Sequence, residues 1–315
     1  MKKWLSLFVA FLLFSSHDMY LKLDTYFLQP DSPATIKLFN GTFDKSENVI
    51  DRNRMIDVSL VGNGVRERID STLWSERDSM TLLNFKTGAP GTWVAGLSTY
   101  ARNLEMDAKA FNDYLAHDGV TDMLEWRKAN DALDQKANEK YSKHVKTIFQ
   151  VGDKRTDDWS VNLGYPIEFI PLSNPYDLLE GDTLRVRLLR SGAPLANQLI
   201  TIDSKATHSH GSDDTNSDHS HDHDAGDGGH HHHGSIQTRT NSNGELSVAL
   251  TNSGIWYLRT IHLVESNEGD LTHESNWATL TFEVTHAHDG LPSYALFLGG
   301  IAILGALFFL LRKNK

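Results

Sequence analysis

The chain has 315 residues, no cysteine and a formal net charge of −11 at pH 7. Without cysteine there can be no disulfide and no thiolate metal site, and the negative charge argues against nucleic acid as a partner. The length is sufficient for two domains once the terminal segments are set aside.

The first 16 residues have the layout of a secretory signal peptide. Two lysines precede an apolar run from Trp4 to Phe14, which is too short to span a bilayer. We expect cleavage after Ser16, which would make His17 the first residue of the exported protein. Its free α-amine and its imidazole would then form a ready chelate for a divalent metal, whereas cleavage at a neighbouring bond would remove that chelate.

Residues 17–102 alternate short apolar runs with turn signals at a spacing of about ten residues. This pattern predicts a first antiparallel β-sandwich domain of the immunoglobulin-like kind. Because alternate side chains of a strand share a face, Trp93, Ala95 and Leu97 should lie together on the buried side. The runs are residues 19–23, 25–28, 34–43, 56–61 and 92–97.

Residues 103–150 have a different character, and we expect a helical insertion there. Phe111, Tyr114 and Leu115 would share one face of a helix, and residues 125–145 are rich in Ala, Lys, Glu and Gln without Gly or Pro. The Asp118-Gly119 pair marks a break between two helices. The two histidines of this segment, His117 and His144, are expected to be surface or capping residues.

Residues 151–285 return to β character and predict a second sandwich domain of the same kind. Alternating or apolar runs occur again between turn signals, and the last two runs should form the closing pair of strands. The runs are residues 184–190, 198–202, 236–240, 246–250, 254–263 and 277–284.

A histidine-rich tract, residues 207–233, interrupts this second domain. It contains nine of the 16 histidines, interleaved with Asp, Ser and Gly, and lacks the aliphatic residues that a core needs. Neutral imidazole is the commonest protein ligand for borderline divalent metals, so the tract predicts metal binding, with a polar low-complexity hairpin insertion as the alternative. The predicted ligands are His208, His210, His219, His221, His223, His230, His231, His232 and His233.

The C-terminal segment, residues 291–311, is almost wholly apolar and is followed by a short basic tail at 312–315. This pattern predicts one transmembrane helix with its C-terminus in the cytoplasm, preceded by a juxtamembrane stalk at 286–290. The body between the two ends should therefore be exported and anchored on the outer face of the membrane. The expected fold class is mainly β, with two sandwich domains, a helical insertion and this single helix.

The chain contains several short motifs, which are His17-Asp18, the run 141–146 leading into 150–152, residues 192–197, Asn243-Gly244, residues 256–262 and residues 275–279. Together these motifs resemble those of the DUF4198 family. The resemblance implies an exported all-β protein linked with nickel and cobalt uptake, including periplasmic partners of energy-coupling-factor metal transporters. In such partners a histidine at the mature N-terminus takes part in metal binding, and this role would fall to His17.

Two further histidines could complete a site with His17. His262 lies in the run 254–263 and should share a face with Trp256 and Leu258, so a packed core or edge histidine is the alternative to a ligand. His273 lies in a polar segment, 265–276, which we expect to be a loop.

The motifs of common enzymes are missing. The sequence has no Gly-x-Ser-x-Gly, no His-Glu-x-x-His, no phosphate loop and no cysteine nucleophile, so we expect no catalytic activity, although an oxygenase with a histidine brace is a weak alternative. The best hypothesis is a membrane-anchored metal-binding protein for Ni²⁺ or Co²⁺, with Zn²⁺ or Cu²⁺ as further options and a transporter permease as partner. A surface interaction or adhesion module is the second hypothesis.

Overall fold

The computed structural model describes residues 18–205 and 235–285. The signal segment, His17, the histidine-rich tract, the stalk and the predicted transmembrane segment lie outside these residues. Within them the fold is mainly β, as expected, with 18 strands and two α-helices. None of the helices in the described ranges is long and apolar enough to cross a membrane.

Nine strands and both helices precede the long central strand. The strands are β1 (Asp18–Lys22), β2 (Phe27–Leu28), β3 (Pro33–Gly41), β4 (Met55–Gly62), β5 (Val65–Arg68), β6 (Trp74–Arg77), β7 (Met80–Lys86), β8 (Gly91–Thr99) and β9 (Arg102–Met106). The helices are α1 (Ala108–His117) and α2 (Thr121–Ala129).

The other nine strands complete the fold. They are β10 (Ala137–Val151), β11 (Ile167–Pro171), β12 (Thr183–Arg190), β13 (Ala193–Pro194), β14 (Leu199–Lys205), β15 (Ile236–Arg239), β16 (Glu245–Ala249), β17 (Gly254–Glu265) and β18 (His273–Val284). Each apolar run that we took as a strand coincides with one of these 18 strands, and the closing antiparallel pair, β17 with β18, is confirmed.

The strands form three sheets. The N-terminal sheet has the order β1-β3-β7-β6. In the C-terminal sheet the strand β12 pairs with β11, with β13 and with β16. Between them lies a ten-stranded central sheet, β15-β14-β17-β18-β10-β8-β4-β5, in which β2 and β9 also pair with β10. One apolar cluster of the described residues extends from Met19 to Val284 and includes all three sheets.

Strand β10 joins the two halves of the chain, because it pairs antiparallel with β8 and β9 and parallel with β18. The expected helical insertion, residues 103–150, was therefore wrong at both ends, because β9 occupies its first residues and none of its residues after Ala129 is helical. The composition favoured a helix because β10 carries Lys, Glu and Ser at buried positions, where a central strand usually has β-branched residues. Pairing on both edges decides the structure here, and it overrides local propensity.

The helical part of the insertion is confirmed as two short helices. Phe111, Tyr114 and Leu115 are the buried residues of α1, as their spacing predicted. Asp107 caps the start of α1 by accepting a hydrogen bond from the N–H of Ala110 at 2.7 Å. The break between the helices falls at Gly119, whose φ of 70° lies in the left-handed region that favours glycine.

The central sheet has two faces, which the strand register defines. Lys143, Trp277 and Ile261 are register partners and lie on one face, which we call the helix face. His144 and Ala278, one position further along, lie on the opposite face, which we call the cleft face.

The helix face is covered by the N-terminal sheet and by the helices. Thr279 donates a hydrogen bond to the carbonyl of Met19 at 2.9 Å, so β1 lies directly on β18. Further along this face, the ring of Tyr114 stacks on Trp277 with centroids 6.3 Å apart.

The cleft face is covered over part of its length by the C-terminal sheet. Lys146 contacts this sheet through the carboxylate of Glu168 at 3.2 Å and the carbonyl of Phe169 at 3.1 Å, and both charged groups are fully buried. The rest of the cleft face is open.

Candidate metal-binding region

The two strands that flank the histidine-rich tract form an antiparallel pair at the edge of the central sheet. Register partners run from Leu199 and Arg239 to Ile202 and Ile236. The tract therefore stands in the sequence between two neighbouring antiparallel strands, as predicted. The tract itself lies outside the described residues.

The end of β14, where the chain enters the tract, packs beside the loop after β3. Lys205 forms an ion pair with Asp44 of that loop, and Asp203 accepts a hydrogen bond from the hydroxyl of Tyr257 at 3.3 Å. The ring of Tyr257 in turn stacks on Phe43, with centroids 4.5 Å apart. These contacts fix the position from which the tract starts.

The start of the described chain reaches the same strand. The carboxylate of Asp18 binds the guanidinium of Arg259 at 2.7 Å, two residues along β17 from Tyr257, and Arg259 also donates to the carbonyl of Asp118 at 2.6 Å. Burial alone would lower the pKa of Arg259, but the carboxylates of Asp18 and Asp118 raise it above its ordinary value. Asp18, which follows His17, and β14, which leads into the tract, thus both contact β17.

His262 lies on the cleft face of β17, half-buried, with Nδ1 2.9 Å from the side-chain oxygen of Gln198. Trp256 and Leu258 are fully buried on the same face, as the alternation predicted. Burial lowers the pKa of His262, and the nearby charge of Arg190 lowers it further. A neutral imidazole of this kind can bind a metal.

His273 is the first residue of β18 and not part of a loop, which corrects the sequence-based expectation. It is buried on the helix face, where the ring of Phe111 lies 4.6 Å from the imidazole. Its Nδ1 is 2.8 Å from the hydroxyl of Thr272, whereas its buried Nε2 has no hydrogen-bond partner. Burial lowers the pKa of His273 to about 4, so the ring is neutral. An ion could reach Nε2 only if α1 moved.

His262 and His273 consequently face opposite sides of the same sheet and cannot hold one ion together. Asp18 contacts Arg259, on the side of His273, whereas His262 faces the cleft. Within residues 18–205 and 235–285, no three side chains of His, Cys, Asp or Glu are placed to hold a metal. The predicted ligands in the described ranges therefore do not by themselves form a complete site.

Sequence reasoning missed His144. The residue lies in the middle of β10, only 2% exposed, and not on the surface of a helix as we expected. Its Nδ1 lies 2.9 Å from the hydroxyl of Ser98 and its Nε2 3.0 Å from that of Ser142. The run Val145 to Phe149 that follows is rich in β-branched and aromatic residues, and this was the signal for a strand.

The sequence matches the family described as "Domain of unknown function (DUF4198)" over residues 14–264. The chain belongs to this family. The match includes β1 to β16 and most of β17, and it confirms the resemblance drawn from the short motifs. No curated protein matches the DUF4198 chain.

Solved structures resemble the DUF4198 chain only distantly. The D0-D1 domain of intimin is 13% identical, with 84% of this chain and 97% of that chain covered and a TM-score of 0.18. Escherichia coli alpha-2-macroglobulin activated by porcine elastase is 9% identical; the match covers 84% of this chain and 20% of that chain, with a TM-score of 0.22. The Yersinia pseudotuberculosis adhesin InvE is 12% identical; the match covers 84% of this chain and 58% of that chain, with a TM-score of 0.20. Matches this weak assign neither fold nor function.

Proposed function

We propose that this protein is a membrane-anchored, extracytoplasmic metal-binding protein that captures Ni²⁺ or Co²⁺ for uptake or buffering, with Zn²⁺ and Cu²⁺ as weaker candidates. The observation that carries the proposal is the insertion of nine histidines between the edge strand β15 and its neighbour β14. A hairpin connection at a sheet edge can be long and rich in ligands at little cost to the fold. The family resemblance supports the same metals.

The proposal includes the finer architecture expected from the sequence. It has two immunoglobulin-like sandwich domains, residues 17–102 and 151–285, and the segment 291–311 would anchor them in the membrane beside a transporter permease. A second feature supports metal capture near the start of the chain. Because Asp18 and the strand that leads into the tract both contact β17, cleavage after Ser16 would bring a terminal chelate to the same side of the body.

Deletion of residues 207–233 tests the proposal directly. Isothermal titration of the purified full chain with NiCl₂, CoCl₂, ZnCl₂ and CuCl₂ should show several weak sites, most of which disappear in the deletion variant. Circular dichroism should remain unchanged, because the deletion removes no described strand. Unchanged stoichiometry in the deletion variant would show that the tract is not the metal-binding segment and would favour a surface interaction module.

The pH dependence of binding identifies the ligand type. Imidazole must be neutral to bind a metal, and its unperturbed pKa is about 6.5. The binding capacity should therefore fall steeply between about pH 7.5 and pH 5. Full retention at pH 5 would assign the ions to the aspartates of the tract.

The terminal site requires its own test. Mass spectrometry of the exported protein should find His17 as the first residue. In the deletion background, His17→Ala should weaken the remaining site by at least about tenfold. His262→Ala and His273→Ala, compared with His117→Ala at the exposed end of α1, show whether either strand histidine contributes. An N-terminus elsewhere would remove the chelate from the proposal.

A further inference from the structure

A cleft of about 950 Å³ lies on the cleft face. It crosses five neighbouring strands of the central sheet, β18, β10, β8, β4 and β5, and it is closed on the far side by the loop 162–166 and the turn 190–192. Its size is of the order of small-molecule binding sites. Neither the metal-binding proposal nor the family assignment requires it.

The floor of the cleft is polar although it is buried. Ser98, Ser142 and His144 form a continuous hydrogen-bonded row, which Ser142 extends to the side-chain oxygen of Asn276 at 3.1 Å. Two positions along the same face from Asn276, Ala278 begins the apolar core of the sheet. These groups satisfy one another inside the fold, and where the cleft opens beside them they can also exchange hydrogen bonds with a ligand.

His144 makes this floor adaptable. Burial lowers its pKa to about 4, so the imidazole is neutral and has one donor and one acceptor nitrogen. Both nitrogens contact serine hydroxyls, which can turn to donate or accept. Together with the amide of Asn276, such a floor suits the hydroxyl groups of a ligand rather than a fixed charge.

The rim of the cleft is basic in a protein of net charge −11. Three arginines line it, Arg66, Arg68 and Arg190, against two carboxylates, Asp57 and Glu274. The side chain of Arg68 is 75% exposed, with Asp57 4.0 Å away and a hydrogen bond to the carbonyl of Ile56 at 3.1 Å. Arg190 contacts Glu274 at 3.5 Å and the carbonyl of Pro166 at 3.4 Å, and it donates to the hydroxyl of the neighbouring Ser191 at 2.9 Å.

The carboxylate of Asp57 is already occupied. It accepts hydrogen bonds from Tyr165 at 2.6 Å and from Arg66 and Ser59 at 2.8 Å. Burial raises the pKa of Asp57, but these hydrogen bonds outweigh that effect and hold it below its usual value. The occupied carboxylate and the surrounding guanidinium groups make this a poor site for a bare cation.

The loop 162–166 forms the wall of the cleft opposite the sheet, and hydrogen bonds hold it in place. Glu168 accepts hydrogen bonds from the backbone N–H groups of Leu163, Gly164 and Tyr165 at 3.0 to 3.3 Å, while its charge is paired with buried Lys146. Gly96 lets this wall lie against β8, because a Cβ at that position would overlap Leu163 and Tyr165. The cleft is therefore preorganised, which lowers the entropic cost of binding.

We propose that this cleft binds a small organic anion that carries a carboxylate and several hydroxyl groups. Arg190 binds the carboxylate, because a guanidinium matches its geometry with two parallel hydrogen bonds. Arg68, on β5 at the opposite end of the cleft, adds positive charge to the rim. The row from Ser98 to Asn276 receives the hydroxyl groups. A free hydroxy acid and an acidic sugar residue share this chemistry.

Isothermal titration of the purified full chain in metal-free buffer tests the proposal with four ligands. Gluconate and glucuronate represent the two sources of the anion, glucose has the hydroxyls without the charge, and butyrate has the charge without the hydroxyls. Gluconate or glucuronate should bind with a Kd below about 1 mM, and glucose and butyrate at least about tenfold more weakly. Equal binding of glucose, or no acid binding up to about 10 mM, overturns the proposal.

Four variants locate the site. Arg190→Gln should weaken binding of the acid by at least about tenfold and Arg68→Gln by less, whereas Arg185→Gln, on the same strand as Arg190 but outside the cleft, should change it less than about twofold. Glu274→Gln removes a repelling charge and releases Arg190, so it should tighten binding several-fold, which a merely structural role would not do. An Arg190 variant that binds like the Arg185 variant overturns the assignment of this cleft.

Discussion

Both faces of the central sheet carry buried polar residues at the same level of β10 and β18, but the two sets have different surroundings. On the helix face, Glu139 and His273 lie beneath the rings of α1, and Glu139 accepts hydrogen bonds from Ser275 and from Tyr114. On the cleft face, His144 and Asn276 are equally buried but border open space. A polar group closed beneath aromatic rings can only affect stability, whereas one on the floor of a cleft can also bind a ligand.

The largest effect is expected when an aromatic ring of α1 is removed from the helix face. Phe111 is fully buried and contacts both Tyr114 and His273. Phe111→Ala should lower the free energy of unfolding by about 3–5 kcal/mol, because it deletes a buried aromatic ring and leaves a cavity. Urea unfolding followed by circular dichroism measures the change, with Leu133→Ala at a partly exposed position as the matched control. Equal losses in the two variants would show that the helices do not seal this face.

The sequence predicted those features that depend on residues close together in the chain, and it missed those that depend on residues far apart in the chain. The amphipathic spacing of α1 and the alternation around His262 are local signals, so the buried face of each was predictable. The strand β10 was not, because its polar side chains find partners on elements distant in the sequence, such as α1, β8, β18 and the C-terminal sheet. The cleft was equally hidden, since its lining comes from segments between residues 56 and 276 that only the sheet order brings together.

A smaller effect should separate His144 from the exposed histidines. Burial lowers the pKa of His144 to about 4 in the folded protein. As the pH falls, the imidazole is therefore protonated near pH 6.5 in the unfolded chain but only near pH 4 in the folded chain. The contribution of His144 to stability is therefore complete above pH 6.5 and is lost as the pH falls towards 4. Between pH 7 and pH 5 this loss amounts to about 2 kcal/mol.

Urea unfolding of His144→Gln at both pH values measures that loss. The variant should lose about 2 kcal/mol less than the unmodified protein between pH 7 and pH 5, whatever its stability at pH 7. His117→Gln, at the exposed end of α1, should follow the unmodified protein. If His144→Gln shows the same pH dependence as His117→Gln, then the imidazole of His144 can be protonated in the folded state. The floor of the cleft would then be accessible to solvent.

The smallest expected effect concerns the start of α1, where the helix cover is attached. Asp107 accepts a hydrogen bond from the N–H of Ala110 and so satisfies one of the free donors of the first turn. Asp107→Ala should lower the free energy of unfolding by about 1 kcal/mol, the usual cost of losing such a cap, while Asp107→Asn should retain most of it. Because α1 covers only the helix face, the same change should leave ligand binding in the cleft unaltered. Urea unfolding and titration with gluconate on one preparation measure both effects. A loss of cleft binding in Asp107→Ala would mean that the two faces are coupled through β10, and that the helix cover does more than stabilise the fold.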